Sequence, residues 1–283
     1  MRLENIGKWK IFALESGFFK LDGGAMMGSV PKVLWQKEHQ SDELNRIELS
    51  MRCLLADDGD NVVMIETGIG NKNSDKFIAM FSIDHSDHTL SNALSNHGYS
   101  YSDITHVILT HLHFDHAGGA LYYDDDVLKP RFPNAKYYVS EMNWLAAIKP
   151  NSRDRASYLS LNYQLLKDNN LLKLIPDDSQ ILDGISTYTV NGHTQGQQLI
   201  KLYSNKKALV FCSDLIPLKS HLKLPWIMGY DLNASLTLKE KKYFLDEACK
   251  NNWLLFFYHD PSYVAVRIKK GDKYYEIINE YKR

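Results

Sequence analysis

The sequence predicts an α/β fold in which two mixed β-sheets are covered on the outside by helices, within one domain over residues 1–283. Two observations support this prediction. Apolar patterns along the chain run in the order strands, helices, strands, helix, strands, which is typical of layered folds. Side chains that bind metals follow several of the predicted strands, and loops at strand ends usually carry the active site in such folds.

Period-two alternation and short apolar runs predict the strands. They cover residues 9–20, 47–55, 61–65, 104–110, 135–139, 185–190, 198–203, 208–212, 253–258 and 263–269. Helical spacing of apolar residues predicts the helices, which cover residues 74–81, 89–97, 141–148, 155–169 and 236–249. The strands at 47–55 and 61–65 form a hairpin around the turn at 57–60. Residues 21–31 are rich in glycine and end in proline, which predicts a loop.

The composition is that of an ordinary soluble globular protein, with 44% apolar and 24% charged residues. The formal net charge of −1 gives no reason to expect a nucleic-acid partner. Three scattered cysteines, Cys53, Cys212 and Cys249, are too few for a disulfide framework. Residues 1–30 show no basic start followed by an apolar run, so we expect no secretory signal. No apolar run approaches the length of about eighteen residues that a membrane span needs. We therefore expect a cytoplasmic protein without a membrane partner.

The strand at 104–110 leads into a stretch rich in metal-binding side chains: His111, His113, Asp115 and His116. Imidazole nitrogens and carboxylates suit zinc and similar divalent metals. His111 and His113 are two residues apart, so an extended segment directs both to the same side. Asp115 and His116 can face a second position if the chain turns, and glycines in 117–119 favour such a turn. One loop could thus serve two neighbouring metals.

Later strands end in further candidate ligands, namely His193, Asp214 and His259. Taken alone, a histidine after a strand is more often a surface or hydrogen-bonded residue, and Asp214 could be a helix cap. The joint pattern favours a metal site, because each of four predicted strand ends offers a residue that can bind a metal.

The HxHxDH stretch at 111–116, followed in order by His193, Asp214 and His259, resembles the metallo-β-lactamase superfamily. The Thr67-Gly68 turn after an apolar strand fits the first motif of that superfamily. Within it, three segments resemble the branch of quorum-quenching acyl-homoserine lactonases and organophosphate hydrolases: residues 21–35, 213–217 and 257–261. The resemblance covers nearly the whole chain. It implies a four-layer αββα sandwich of two mixed β-sheets flanked by helices.

The resemblance also implies a role for each candidate residue. One metal would be held by His111, His113 and His193, and a second by Asp115, His116 and His259, with Asp214 bridging the two. Three positions depart from the family pattern. Glu66 stands in place of an aspartate that supports the metal shell, and Gln195 in place of a proline. Pro217 stands where some lactonases carry a tyrosine that contacts the substrate carbonyl.

We expect this site to act as a hydrolase. Two divalent ions, with zinc expected first and manganese, iron or cobalt as alternatives, would activate a bridging hydroxide as the nucleophile. Asp115 is then the candidate to carry a proton to the leaving alkoxide. The predicted substrates are lactones or related esters, including N-acyl-homoserine lactones. A phosphotriesterase on the same site and a non-catalytic metal-binding protein are the alternatives.

The sequence predicts the substrate pocket less clearly than the metal ligands. Its candidate lining residues are Met26, Met27, Phe114, His221 and Trp226, and packing in the core is an equal alternative for each. The expected partner is a small-molecule substrate. Because similar lactonases are often dimers, the resemblance also suggests a homodimer.

Overall fold

The computed structural model describes residues 1–272 and 274–283, and its largest elements are two β-sheets. The first sheet has six strands in the spatial order β1-β2-β3-β4-β7-β8. Their bounds are β1 Lys10–Asp22, β2 Arg46–Asp57, β3 Val62–Ile65, β4 His106–Ile108, β7 Lys136–Ser140 and β8 Leu172–Ile175. The strands β1, β2 and β3 pair antiparallel, whereas β3, β4, β7 and β8 run parallel. The sheet is therefore mixed, as predicted.

The second sheet has seven strands in the spatial order β15-β14-β13-β12-β11-β10-β9. Their bounds are β9 Gln180–Leu182, β10 Ile185–Val190, β11 Gln197–Ser204, β12 Lys207–Phe211, β13 Leu254–Phe256, β14 Tyr263–Lys270 and β15 Tyr275–Lys282. Its one parallel pairing joins β12 to β13, and a parallel pair requires a crossover connection. A small hairpin of β5 Leu121–Asp124 and β6 Val127–Pro130 lies outside both sheets.

Helices connect the strands. Their bounds are α1 Gly23–Met27, α2 Lys32–Trp35, α3 Asp75–Phe81, α4 Leu90–Ser95, α5 Phe114–Ala117, α6 Glu141–Ile148, α7 Gln164–Asp168 and α8 Ala234–Asn251. The longest, α8, provides the crossover from β12 to β13. It begins where the side chain of Asn233 accepts a hydrogen bond from Leu236 N, and it buries Thr237, Lys241, Phe244, Leu245 and Ala248 on one face. That three-to-four-residue spacing is expected of a helix packed on a sheet.

Apolar side chains from both sheets share one core. Leu54 and Ile65 of the first sheet and Leu209 and Phe256 of the second are completely buried in the same cluster. Backbone hydrogen bonds also join the sheets, since Arg52 N donates to Tyr258 O over 3.0 Å. Together with the outer helices, these contacts confirm the predicted αββα sandwich.

Several predicted elements differ from those observed. The predicted helix at 155–169 is wrong: the segment forms short 3₁₀ turns and only α7 is α-helical. Tyr158 interrupts it with extended backbone that bridges to His113, so a tertiary contact overrides the helical spacing. The predicted loop at 21–31 contains the short helix α1, which starts where the Asp22 side chain accepts a hydrogen bond from Ala25 N.

The predicted hairpin of residues 47–65 is confirmed by the antiparallel pairing of β2 with β3. Strands β5, β6, β8, β9 and β15 were not anticipated from the sequence. Cys53 and Cys212 are buried free thiols. Among the described residues, no helix is long and apolar enough to cross a membrane.

Candidate metal centre

The predicted ligand loop begins at His111, three residues after the end of β4, and changes direction at the short helix α5. His113 precedes α5 with an extended backbone, whereas Asp115 and His116 lie inside the helix. This change from extended to helical backbone turns the second pair of side chains away from the first. All four metal-binding side chains of the loop are buried, with exposed fractions of 8% or less.

The glycines after this loop are needed for space rather than for unusual backbone angles. Gly118 has an ordinary helical conformation, with φ −59° and ψ −35°. A Cβ atom at Gly118 would lie 2.2 Å from Ile69 O, and one at Gly119 would lie 2.0 Å from Thr67 O. The predicted reason for these glycines is therefore wrong: the Thr67-Gly68 turn packs directly against the ligand loop and leaves no room for a side chain.

Three histidines form the first group of donor atoms. His111, His113 and His193 each direct a ring nitrogen to one point, with these atoms within 4.8 Å of one another. His111 Nε2 lies 3.0 Å from His113 Nδ1, and His113 Nδ1 lies 3.3 Å from His193 Nε2. These are the residues that the resemblance assigns to one metal.

A carboxylate and two histidines form the second group. Asp115, His116 and His259 also place their donor atoms within 4.8 Å of one another. Asp115 Oδ2 lies 3.7 Å from His116 Nε2 and 3.6 Å from His259 Nε2. These are the residues that the resemblance assigns to a second metal.

Asp214 lies between the two groups. Its Oδ2 atom is 3.9 Å from His111 Nε2 and 3.3 Å from His193 Nε2. Its Oδ1 atom is 3.4 Å from His116 Nε2 and 3.3 Å from His259 Nε2. Each carboxylate oxygen therefore faces a different donor group.

The second ring nitrogen of most of these histidines meets an acceptor, and such acceptors orient metal-binding imidazoles. His193 Nδ1 lies 2.9 Å from Asp231 Oδ1, and His259 Nδ1 lies 3.0 Å from Ser50 O. His111 Nδ1 lies 3.0 Å from Thr110 Oγ1. Asp231 was not predicted from the sequence. The one feature that could have indicated it is its position two residues before Asn233, the N-cap of α8.

Two further carboxylates, Glu66 and Asp260, adjoin the donor cluster. Glu66 Oε1 lies 3.4 Å from His116 Nδ1 and accepts a hydrogen bond from Thr110 N. Glu66 adopts a left-handed backbone with φ of 67°, which is uncommon for a residue other than glycine. Asp260 instead accepts hydrogen bonds from the backbone of Lys219, Ser262 and Tyr263, so it shapes the loop after His259.

The other two departures from the family pattern have simple structural accounts. The side chain of Gln195 is exposed, and its backbone carbonyl accepts a hydrogen bond from Asn143. Pro217 contributes its carbonyl oxygen, which accepts a hydrogen bond from His259 N over 3.3 Å. Neither residue supplies a side-chain group to the donor cluster.

The electrostatics of the cluster suit a bound cation. Burial lowers the pKa of His111 and His113 well below the usual value, so both rings stay neutral and keep a free lone pair. Burial also lowers the pKa of His116, but Asp214, Asp115 and Glu66 more than offset this and raise it well above the usual value. The carboxylates thus create a strong local preference for positive charge.

Unpaired polar atoms give a direct test of whether the residues fit a metal. His116 Nε2 and Asp214 Oδ1 are buried and have no hydrogen-bond partner within residues 1–272 and 274–283. Buried polar atoms are normally paired, because leaving one unpaired costs about 1–3 kcal/mol. Both atoms face the donor cluster, and histidine nitrogens with carboxylate oxygens are the ligands that zinc and related divalent metals prefer. The residues therefore fit divalent metal ions.

A cavity with a volume of about 270 Å³ opens onto these donors. His113, Asp115, His193, Asp214 and His259 form its floor. Of the predicted pocket residues, the structure places Met26 and Phe114 on its wall.

The other predicted pocket residues are not brought to this wall. Met27 is completely buried in the core, and His221 Nε2 lies 3.0 Å from Met26 O. The backbone carbonyl of Trp226 accepts a hydrogen bond from Lys241, and the indole ring of Trp226 lies under the ammonium group of Lys223. Of these contacts, that of His221 supports the wall, because Met26 lines the cavity. The sequence did not single out Leu21, Phe81, Asp154, Met228 or Tyr230, all of which line the cavity.

Residues 51–259 match the sequence profile of the metallo-β-lactamase superfamily. The chain belongs to this superfamily. The match contains every residue of the donor cluster, and the observed sandwich is the metallo-β-lactamase fold. The protein is thus a metallo-hydrolase of this superfamily, with a site suited to divalent metal ions.

Individual metallo-β-lactamase-fold proteins support this assignment. A probable metal-dependent hydrolase from Staphylococcus aureus is 30% identical, with 99% of each chain covered and a TM-score of 0.91. An N-acyl homoserine lactonase from Bacillus cereus is 24% identical over 76% of this chain and 83% of the relative. A lactonase of Bacillus thuringiensis is 27% identical, and the match covers 61% of its length. The dizinc quorum-quenching lactonase AidC shares the fold at 20% identity, 99% and 97% coverage and a TM-score of 0.80.

Proposed function

We propose that the protein is a binuclear metal-dependent hydrolase that opens lactones, including N-acyl-homoserine lactones, or cleaves related carboxylic esters. The observation that carries this proposal is the position of Asp214. One of its oxygens is 3.3 Å from His193 Nε2 and the other is 3.3 Å from His259 Nε2. A carboxylate with one oxygen on each of two donor groups is suited to join two cations.

The donor chemistry favours zinc as the metal in both positions. Neutral imidazoles with one or two carboxylates are ordinary zinc ligands, and manganese, iron and cobalt accept the same mixed set. The lactonase AidC, which shares the fold, is described as a dizinc enzyme. We therefore propose two divalent ions per chain, with Zn²⁺ first and Mn²⁺, Fe²⁺ or Co²⁺ as alternatives.

When bound, two divalent ions lower the pKa of a shared water toward neutrality and polarise the attacked carbonyl. The chain itself supplies a group for the proton. Asp115 lies on the cavity floor and is 7% exposed, so its carboxylate can reach the leaving alkoxide. Tyr258 donates a 2.5 Å hydrogen bond to the backbone carbonyl of Asp115, and this bond holds Asp115 in place.

Some lactonases carry a substrate-binding tyrosine at the position of Pro217. In this chain Tyr230 could supply the phenol instead. It lines the same cavity as Asp115 and Asp214. Tyr230 is 37% exposed, and its partial burial, together with the nearby carboxylates of Asp22 and Asp115, raises its pKa to about 12. The hydroxyl therefore keeps its proton at neutral pH and can donate a hydrogen bond to an oxygen of the substrate.

The walls suit an acyl chain attached to a lactone ring. The apolar residues above the donor floor are Leu21, Met26, Phe81, Phe114 and Met228. The rings of Phe81 and Phe114 lie 5.1 Å apart, and Phe77 packs against both. Binding sites of this kind combine apolar walls with a few polar groups that set orientation. Curated relatives named N-acyl homoserine lactonase favour the same substrate class.

The same aromatic wall supports a second candidate function. Phe81 and Phe114 could seat the aryl leaving group of a phosphotriester, and two metals can act on a phosphoryl centre as they act on a carbonyl. The lactonase proposal ranks first because relatives with that name align over most of their length.

One panel of substrates tests these proposals. The metal-loaded protein is assayed with N-acyl-homoserine lactones, simple lactones, an aryl ester and a paraoxon-type phosphotriester, and bound metal is measured in the same samples. We expect two metals per chain and a kcat/KM for a lactone of about 10⁴ M⁻¹s⁻¹ or more. Asp214→Ala should abolish turnover, whereas Asp183→Ala, at an 89% exposed side chain, is the matched control.

The outcomes separate the candidates. Strong phosphotriester turnover with weak lactone turnover would replace the first proposal by the second. One metal per chain in the wild type would contradict the binuclear site. Two bound metals without turnover of any substrate would favour the non-catalytic alternative.

A further inference from the structure

Asp154 is a buried carboxylate on an otherwise exposed segment. Its neighbours at 151–153 and 155–156 are exposed, yet Asp154 itself is only 7% exposed. Its side chain lines the cavity that also contains His193 and Asp214. A surface segment thus turns one charged side chain inward, toward the metal centre.

The ordinary structural roles of such an aspartate are not fulfilled here. Asp154 precedes the 3₁₀ helix Arg155–Ser157, where an aspartate often caps the helix, but its side chain accepts no capping hydrogen bond. Its Oδ1 atom is buried and has no hydrogen-bond partner in the described part of the chain. Burial raises the pKa of Asp154, although backbone hydrogen bonds at Asp154 and Asn151, and then nearby His193, oppose this. Leaving a buried acceptor unpaired costs free energy, so the carboxylate of Asp154 should destabilise the folded protein.

The surroundings of Asp154 restrict what it could bind. The adjoining residue Arg153 donates a hydrogen bond to Gly229 O, which ties this segment to the loop that carries Met228 and Tyr230. The carboxylate therefore lies in a cavity whose walls are mostly apolar. In such surroundings a few polar groups, here Asp154 with Tyr230 and Arg153, set the orientation of a ligand.

We propose that Asp154 is a specificity residue that accepts a hydrogen bond from a neutral donor of the substrate, an amide N–H or a hydroxyl, next to the hydrolysed group. A neutral donor is favoured over an ammonium group, because the adjacent donor cluster is built for cations that would repel a positive charge. The inference rests on the proposed lactonase function. It narrows the substrates to lactones with a donor beside the ring carbonyl.

A matched pair of substrates tests this inference on the metal-loaded protein. N-hexanoyl-homoserine lactone carries an amide N–H beside the ring, whereas α-hexyl-γ-butyrolactone has the same ring without a donor. Asp154→Ala should lower kcat/KM for the amide lactone by about 10- to 100-fold, mainly through KM, because a hydrogen bond to a charged group is lost. Turnover of the alkyl lactone should change by less than about threefold.

Two further variants sharpen the result. Asp154→Asn should recover part of the loss on the amide lactone, because the amide oxygen can still accept a hydrogen bond. Arg155→Ala, at the exposed neighbouring position, is the control and should leave both substrates unaffected. The melting temperature provides a readout apart from activity. It should stay equal or rise in Asp154→Ala, since the variant removes an unpaired buried carboxylate.

The outcomes distinguish a failure of the proposed role of Asp154 from a failure of the proposed lactonase function. Equal losses on both lactones, no loss on either, or a lower melting temperature in Asp154→Ala would overturn the role of Asp154 alone. Failure of the wild type to open either lactone would overturn the proposed lactonase function together with this inference.

Discussion

The hydrogen bond between His193 and Asp231 provides the most direct test of how the fold positions the donor cluster. His193 Nδ1 lies 2.9 Å from Asp231 Oδ1, and the two side chains are 4% and 1% exposed. The backbone reinforces this contact, because Leu232 N donates to His193 O over 3.1 Å. Asp231 therefore holds the ring so that Nε2 faces the cluster.

The expected effect of Asp231→Ala follows from this geometry. A buried hydrogen bond to a charged group contributes about 1.5–3 kcal/mol. Without this hydrogen bond the His193 ring is no longer held in the orientation that binds metal. The lost energy corresponds to a decrease of about 10- to 100-fold in metal affinity. Asp231→Asn should lose less, because its side-chain oxygen can still accept from His193 Nδ1.

The assay is competition for zinc between the protein and a chromophoric chelator at constant pH. Asp183→Ala is the control for removal of a carboxylate, since that side chain is 89% exposed. An unchanged zinc affinity in a folded Asp231→Ala protein would refute the reasoning that Asp231 orients a ligand.

Three further predictions follow from the structure. Gly119→Ala should destabilise the protein by about 1–3 kcal/mol and weaken zinc binding, because the new Cβ would lie 2.0 Å from Thr67 O; chemical denaturation and the chelator assay measure both effects. Removal of the metals with dipicolinate should lower the melting temperature, because the metals join loops from several strands; the shift corresponds to about 4 kcal/mol when the metal is at a thousand times its dissociation constant. Lys241→Met should remove a pH dependence of stability. Burial lowers the pKa of Lys241 to about 7, although Asp231 opposes this. Between pH 7 and 10, Lys241 is therefore protonated in the unfolded chain but largely neutral in the folded chain. As the pH rises through this range, the free energy of unfolding of the wild type should increase relative to that of the variant by up to about 1.4 kcal/mol per pH unit, as measured by urea denaturation.

Clear results would contradict each of these predictions. A Gly119→Ala protein with wild-type stability would mean that the Thr67 turn can move away at no cost. A melting temperature insensitive to dipicolinate would mean that metal binding is not coupled to the fold. A stability difference between wild type and Lys241→Met that is constant from pH 7 to 10 would mean that Lys241 titrates normally.

Much of the fold and the residues of the donor cluster could be predicted from the sequence. Strands such as β3 and β12 are short and largely apolar runs, and this local pattern can be recognised without tertiary contacts. The segment 155–169 shows the limit of such patterns. Its helical spacing was overridden because Tyr158 bonds to Thr194 and Asn143, and pairs with the backbone of His113.

The sequence by itself determined the superfamily and the residues of the donor cluster, because ligand type and spacing at strand ends are local features. Only the tertiary structure decided the groups around them. Asp231, Ser50 and Asp154 are distant in sequence from the histidines they lie near, and no motif marks them. Their roles depend on burial and on which polar atoms remain unpaired. Both properties arise when the two sheets pack together, so they exist only in the folded chain.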